Sequence, residues 1–292
     1  MAGEPARERR TEDSPLTAPL LVLGAILAVQ LGAAAATELF DDVGPAGTVL
    51  YRLVFAAAVL LALWRPDPRG ADRRSLALVT VFGVSLAAMN LSFYEALDRI
   101  PLGIAVTLEF IGPLGVALAA SRRRLDLAWV ALAAAGVVLV SGPSGDADAA
   151  GIAFALGAGA FWAAYILLSS RVGRAFEGGG GLALAMAVAA ALMLAPGAAV
   201  GGSELLDAEL AAIGLAVALL SSAIPYSLEL EALRRMPVGV FGVLMSLEPA
   251  VAAAVGAVAL SQGLNGAELA GIAAVTAASA GVLRRSGTDP TA

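Results

Sequence analysis

The chain of 292 residues is 59% hydrophobic and 14% charged, with a formal net charge of −6 and a mean hydropathy of +0.85. A soluble chain of this length needs a polar surface that so few polar residues cannot supply, so the composition points to a membrane protein. Without cysteine or histidine, disulfides, Cys/His metal sites, thiol nucleophiles and histidine acid–base chemistry are excluded. The acidic balance offers nothing to nucleic acid, and no cofactor is implied.

The opening "MAGEPARERRTEDSP" is too charged for a signal sequence, so residues 1–17 are expected to form a disordered cytoplasmic tail. Crossing a bilayer takes about 20 apolar residues in a helix. Ten such runs follow in order: 18–37, 46–64, 75–97, 101–120, 125–141, 150–169, 181–199, 208–232, 238–260 and 266–283. Residues 284–292 form a second cytoplasmic tail. No period-2 alternation suggests a barrel, and abundant Gly and Ala suit close helix packing in lipid.

Arginine placement orients the runs. With both termini inside, the cytoplasmic segments hold 16 of the 18 basic residues, the outer loops hold Arg99, and Arg52 lies within the second run. That asymmetry matches the positive-inside rule.

The chain also repeats itself at a constant offset of 136 residues. Glu95, Ala96, Leu97, Arg99, Pro101, Gly103 and Pro113 recur as Glu231, Ala232, Leu233, Arg235, Pro237, Gly239 and Pro249. Each half has five runs, an odd number, so the halves lie upside down relative to each other. The expected fold is therefore an all-α membrane protein with ten transmembrane helices in two inverted five-helix repeats, 18–141 and 150–283. Inverted repeats with a site near the midplane are a transporter pattern.

A charge at the bilayer centre costs about 2.5–3.5 kcal/mol on insertion scales, so charged residues within runs are candidates for function. Glu109 and Glu248 sit near the centres of runs 4 and 9, about one turn apart in repeat register, and are expected to approach each other at the midplane. Arg52 needs a partner, either a substrate carboxylate or an internal glutamate. Pro113, Pro225 and Pro249 remove the N–H groups that would bond the carbonyls of Glu109, Ser221 and Met245, leaving kinks with free acceptors. Asn90 and Tyr94 lie one turn apart. Ser222, Tyr226 and Glu229 share one helical face, and Tyr226 is the repeat counterpart of Asn90. Trp162 and Tyr165 either offer π-faces to an ammonium or pack the bundle, and Gln30 is a polar side chain that lipid would not solvate. Glu95–Arg99 and Glu231–Arg235 read as terminal i,i+4 ion pairs.

Two stretches, "PLGIAVTLEFIGPLGVALAASRR" (101–123) and "SSAIPYSLELEALRRMPVGVFGVLMSLEPAVAA" (221–253), resemble the EamA-type drug/metabolite transporter superfamily, and within it the bacterial threonine/homoserine exporters. The segment "ELFDDVGPAGTVLYRL" resembles that family's first loop and second span, which carries Arg52 over. A basic residue is common in the family near Glu38, and this chain departs there. The resemblance implies an inner-membrane carrier exporting small amino acids, driven by protons. From its place in an apolar run, Glu109 is expected to supply the acidic side of the site and the coupling proton, with Glu248 supporting it from the other half. Another metabolite or drug as cargo, or a membrane sensor or scaffold, remain the alternatives. Oligomeric state is not legible.

Overall fold

The computed structural model describes residues 16–67, 71–120, 126–141, 148–233 and 235–286. Most of the two expected tails, and the basic positions 7, 9, 10, 69, 122–124 and 234, lie outside the described residues. All regular structure among the described residues is helical: α1 Thr17–Thr37, α2 Phe40–Trp64, α3 Arg73–Leu97, α4 Leu102–Glu109, α5 Ile111–Ala120, α6 Asp126–Ser141, α7 Ala149–Ala175, α8 Gly180–Gly201, α9 Ala208–Ala218, α10 Ile224–Leu233, α11 Val238–Met245, α12 Glu248–Ala259 and α13 Gly266–Ser286. A 3₁₀ turn, Gly202–Leu206, follows α8, and a π-turn, Leu219–Ala223, joins α9 to α10.

Local sequence explains where the helices begin. Asp72, Asp148 and Asp207 each place a carboxylate oxygen on first-turn amides, at 2.7 Å from Ser75 N, 2.8 Å from Ala150 N and 2.8 Å from Glu209 N. Asn265 accepts from Ala267 and Glu268, while Glu268 accepts from the Asn265 amide, a reciprocal capping box that starts α13. Within α2 the helical course breaks at Gly44, whose φ of 67° suits glycine, and Pro45 restarts it.

The burial pattern is that of a protein solvated by lipid. On α1 the leucines Leu20, Leu23, Leu27 and Leu31 recur at helical spacing and are exposed, whereas Gln30 is buried. Thr48, Asn90 and Glu248 are buried as well. Eight segments are long and apolar enough to cross a membrane, and Ala128–Val140 is a shorter apolar helix. This is a multi-pass membrane protein. Of the ten runs expected, the fifth is the short α6 and the tenth is α13, outside those eight.

Runs 4, 8 and 9 are broken rather than continuous. Run 4 divides into α4 and α5 at Phe110, and run 9 into α11 and α12 at Ser246 and Leu247. Pro113 and Pro249 fall in the first turns of the helices that follow these breaks. They therefore start helices, where a missing N–H costs nothing, rather than kinking continuous ones as expected. In the bundle α2 lies along α8, α3 along α7, α6 along α13, α4 against α12, and α1 against α10. Glycine permits the closest approach: a Cβ on Gly112 of α5 would overlap the Gly159 backbone of α7. The terminal pairs Glu95–Arg99 and Glu231–Arg235 are both formed, each at 2.6 Å.

Candidate functional site

The helix breaks and the α1–α3 side chains enclose a cavity of about 190 Å³ in the bundle interior. Eight of the side chains singled out from sequence line it: Gln30, Arg52, Asn90, Glu109, Trp162, Tyr165, Glu229 and Glu248. Tyr94 lies behind Arg52, fully buried. Tyr226 belongs to α10, but its side chain lies outside the described residues. Liners not anticipated are Ser221 and the apolar Val29, Met89, Phe93, Val106 and Met245.

Arg52 is held from two sides. One guanidinium nitrogen donates to the Tyr94 hydroxyl at 3.3 Å, and the other donates to the Ser221 carbonyl at 3.3 Å. The guanidinium carbon also stands 5.6 Å from the centre of the Tyr94 ring, within cation–π range. Tyr94 is wedged against Phe40 and Phe93, with ring centres 5.9 and 6.0 Å away. The Ser221 carbonyl is the one deprived of its helical partner by Pro225, and the π-turn there opens the ladder further.

Opposite, Gln30 Nε2 donates to Glu248 Oε1 at 3.4 Å. Glu248 lies within electrostatic range of Glu109 and Glu229, and Glu109 within range of Arg52. Glu109 and Glu248 thus line one cavity, and Glu229 adds a third carboxyl group. Asn90 spends its amide on the Leu86 carbonyl one turn back, at 2.8 Å. Trp162 meets Phe110 edge-on at 5.5 Å, and Tyr165 stacks on Phe82 at 5.1 Å. These two rings therefore pack the bundle and face the cavity at the same time.

The backbone carbonyls freed near the breaks do not all turn inward. A Cβ on Gly159 would stand 2.6 Å from the Glu109 carbonyl oxygen, so that acceptor is pressed against α7. Of the three prolines, Pro225 is the one whose orphaned acceptor is filled by a functional side chain, Arg52.

Three carboxyl groups and one guanidinium line this small cavity, with the arginine fork at one edge, so its charge is set by how many of the carboxyls hold a proton. That arrangement suits a compact ligand carrying both signs of charge, and its volume lies below the 300–1,000 Å³ of drug-sized pockets.

Residues 149–284 match the EamA-like transporter family. The threonine/homoserine exporter RhtA of Salmonella typhimurium strain LT2 is 43% identical over 276 residues, 93% of each chain. RhtA of Escherichia coli K12 is 43% identical over 272 residues, 91% of this chain and 92% of its own. A protein of known crystal structure, 20% identical, superposes with a TM-score of 0.61 over 93% of this chain and 99% of its own, a likeness of fold. The chain belongs to the EamA-like transporter family.

Proposed function

We propose that this protein exports small neutral amino acids of the threonine and homoserine kind across the bacterial inner membrane in exchange for protons. Ten helices in two inverted five-helix repeats carry the cargo by alternating access, with both termini in the cytoplasm. The observation that carries this reading is the cavity itself, where Arg52 and three glutamates meet in about 190 Å³. The exporters named above, 43% identical over nearly the whole chain, supply the cargo class.

The repeat reading draws support from the helix breaks. α4 and α11 are eight residues each and end at Glu109 and Met245, equivalent positions in the two halves. Exchanging the halves carries the α3–α7 contact onto the α10–α1 contact, the α5–α7 contact onto the α12–α1 contact, and the α2–α8 and α6–α13 contacts onto themselves. A carrier built this way has two related ways to close around one central site.

Coupling follows from charge. A proton and a substrate ammonium are alternative ways to neutralise the same carboxylate cluster, so an inward proton displaces an outward-moving zwitterion. Glu109 carries the coupling proton, and Arg52 meets the substrate carboxylate. The test is flux of radiolabelled threonine and homoserine in proteoliposomes, with and without an imposed pH gradient. Gradient-stimulated flux supports the reading. No flux for any member of an amino-acid panel refutes it, and flux indifferent to pH refutes the coupling.

A further inference from the structure

Four helices start on a cap from their own segment: Asp72 for α3, Asp148 for α7, Asp207 for α9 and Asn265 for α13. α4 does not. Its N-cap is Pro101, whose side chain has no acceptor to offer. The first amide of α4, that of Leu102, donates instead to Oε1 of Gln262 at 2.9 Å, in the turn that follows α12 and 160 residues away. This cap exists only while α4 and α12 stay together.

The turn is shaped to deliver it. The amides of Leu260 and Gln262 both bond the Gly256 carbonyl, at 3.2 and 3.0 Å, and between them Ser261 takes a left-handed φ of 54°. The Gln262 side chain folds back over Gly256, where a Cβ would stand 2.7 Å from Oε1. Beside it, a Cβ on Gly103 would stand 2.7 Å from the Ala253 Cα, so the two helix backbones meet with no side chain between them.

This seam has a direction. α4 runs from Leu102 to Glu109 at the cavity, and α12 runs from Glu248 at the cavity to Ala259. Together they wall the path from the cavity to one face of the membrane. Their counterparts at the 136-residue offset, α11 and α5, are the other halves of the same two broken runs and lead to the opposite face. These two share no comparable contact among the described residues. Burial follows the same division: Leu102–Leu108 are all buried, whereas none of residues 240–245 is. Val240 is 49% exposed, and its counterpart Ile104 is 3% exposed. One of two related seams is closed and the other is not, an asymmetry that a carrier working by alternating access has to reverse.

We propose that Gln262 is the latch of the outer gate: its bond to the Leu102 amide holds α4 on α12, and the cavity opens outward when that bond breaks. This rests on the export reading and on its orientation of the helices. A neutral hydrogen bond at the end of the seam suits the task, because water entering the parted seam replaces it on both sides and the net cost of opening is small.

The test is side-specific labelling. The chain has no cysteine, so Met89→Cys, at a half-buried position that lines the cavity, gives a single reporter for a membrane-impermeant maleimide. With Gln262 intact, labelling is expected to be fast in inside-out vesicles and slow in right-side-out ones. Adding Gln262→Leu, which has no acceptor, should speed labelling from the outside about threefold to tenfold, the worth of one neutral hydrogen bond. Gln262→Ala replaces it should that variant not fold. Adding Gln262→Glu keeps an acceptor and brings a negative charge that a helix N-terminus favours, so outside labelling should become slower than in the parent. A loop residue that merely packs would not shift the rate in opposite directions. Equal outside labelling in Gln262→Leu and its parent overturns the latch while the export reading stands. Faster labelling from outside than from inside in the parent sets the closed seam on the other face and also overturns it. Absence of amino-acid flux in the proteoliposome assay refutes the export reading, and the gate with it.

Discussion

Arg52 on α2 donates to the backbone carbonyl of Ser221 in the π-turn between α9 and α10, at 3.3 Å. That carbonyl is available because Pro225, four residues on, has no N–H to offer it. A proline and an arginine 173 residues apart in sequence therefore build one contact, and the contact ties the second helix to the broken eighth run beside the cavity.

Arg52→Lys should reveal how much the fork contributes. Lysine keeps the charge but replaces a planar fork with a point ammonium, which cannot serve Tyr94, Ser221 and a ligand carboxylate in the same geometry. Contacts of this charged type contribute about 1.5–3 kcal/mol each, so threonine affinity is expected to fall about tenfold or more. The check is concentration-dependent efflux from proteoliposomes, with the detergent melting temperature confirming that the variant folds. Efflux kinetics equal to wild type would refute the role.

Pro225→Ala should act on the same contact from the other side. Alanine restores an N–H that can bond the Ser221 carbonyl within its own helix, so Arg52 loses a fixed acceptor and the π-turn tends toward regular helix. The expected result is a more stable but slower carrier: an unchanged or raised melting temperature with a reduced efflux rate. Unchanged transport in a variant of raised stability would mean that the π-turn is not needed for function.

Glu109→Gln fixes that position as if protonated. The cavity still holds Glu248 and Glu229, so threonine is expected to bind and to exchange across the membrane, while an imposed pH gradient no longer drives net movement. Exchange and gradient-driven efflux measured in parallel separate the two effects. Gradient-driven export at the wild-type rate would remove Glu109 from the coupling.

Much of this site was legible in sequence because lipid penalises polarity so heavily. Gln30, Arg52, Glu109 and Glu248 stand out in apolar runs, and each reaches the cavity. The repeat offset foretold that Glu109 and Glu248 share a region. Met89, Phe93 and Met245 carried no signal, since nothing in an apolar run marks which apolar residue faces a ligand. Ser221 was seen for its carbonyl, while Ser222 was placed on the face of Tyr226 and Glu229. That face assumed a regular 3.6-residue turn, and the π-turn at Leu219–Ala223 inserts extra chain there and shifts the register. The breaks near Glu109 and Ser246 were anticipated as proline kinks. They fall earlier because proline is favoured in the first turn of the next helix.

The cap of α3 offers a test outside the membrane-spanning segments. Asp72 accepts from the Ser75 amide at 2.7 Å, and hydrogen bonding to Ser75 holds its carboxyl below the ordinary value. A depressed folded value means that the contribution is complete above the ordinary carboxylate range and is lost as pH falls through the lowered value. Protection of the first turn of α3 against hydrogen exchange, taken relative to the intrinsic rate at each pH, is therefore expected to be unaffected by mild acid and to be lost only in strong acid. In Asp72→Ala, fast exchange should appear already at neutral pH. Identical exchange in variant and wild type would mean that the cap does not hold the turn.

The approach of α7 to the break in run 4 gives the final test. Gly159 has no Cβ, and one placed there would stand 2.6 Å from the Glu109 carbonyl oxygen, closer than real Cβ contacts come. The obstacle is backbone, so it cannot rotate away as a side chain would. Gly159→Ala must push α7 away from the break or displace the break toward the cavity. Overpacking of this kind costs about 1–3 kcal/mol, expected as a melting-temperature drop of several degrees. Because Glu109 is the last residue of α4, the displacement also reaches its carboxylate, and gradient-driven efflux should fall by more than threonine binding does. Ser170→Ala, on an exposed position of the same helix with a hydroxyl bonded only to its own turn, serves as the control and should change neither. A Gly159→Ala protein with wild-type stability and wild-type coupling would show that α7 does not set the position of Glu109.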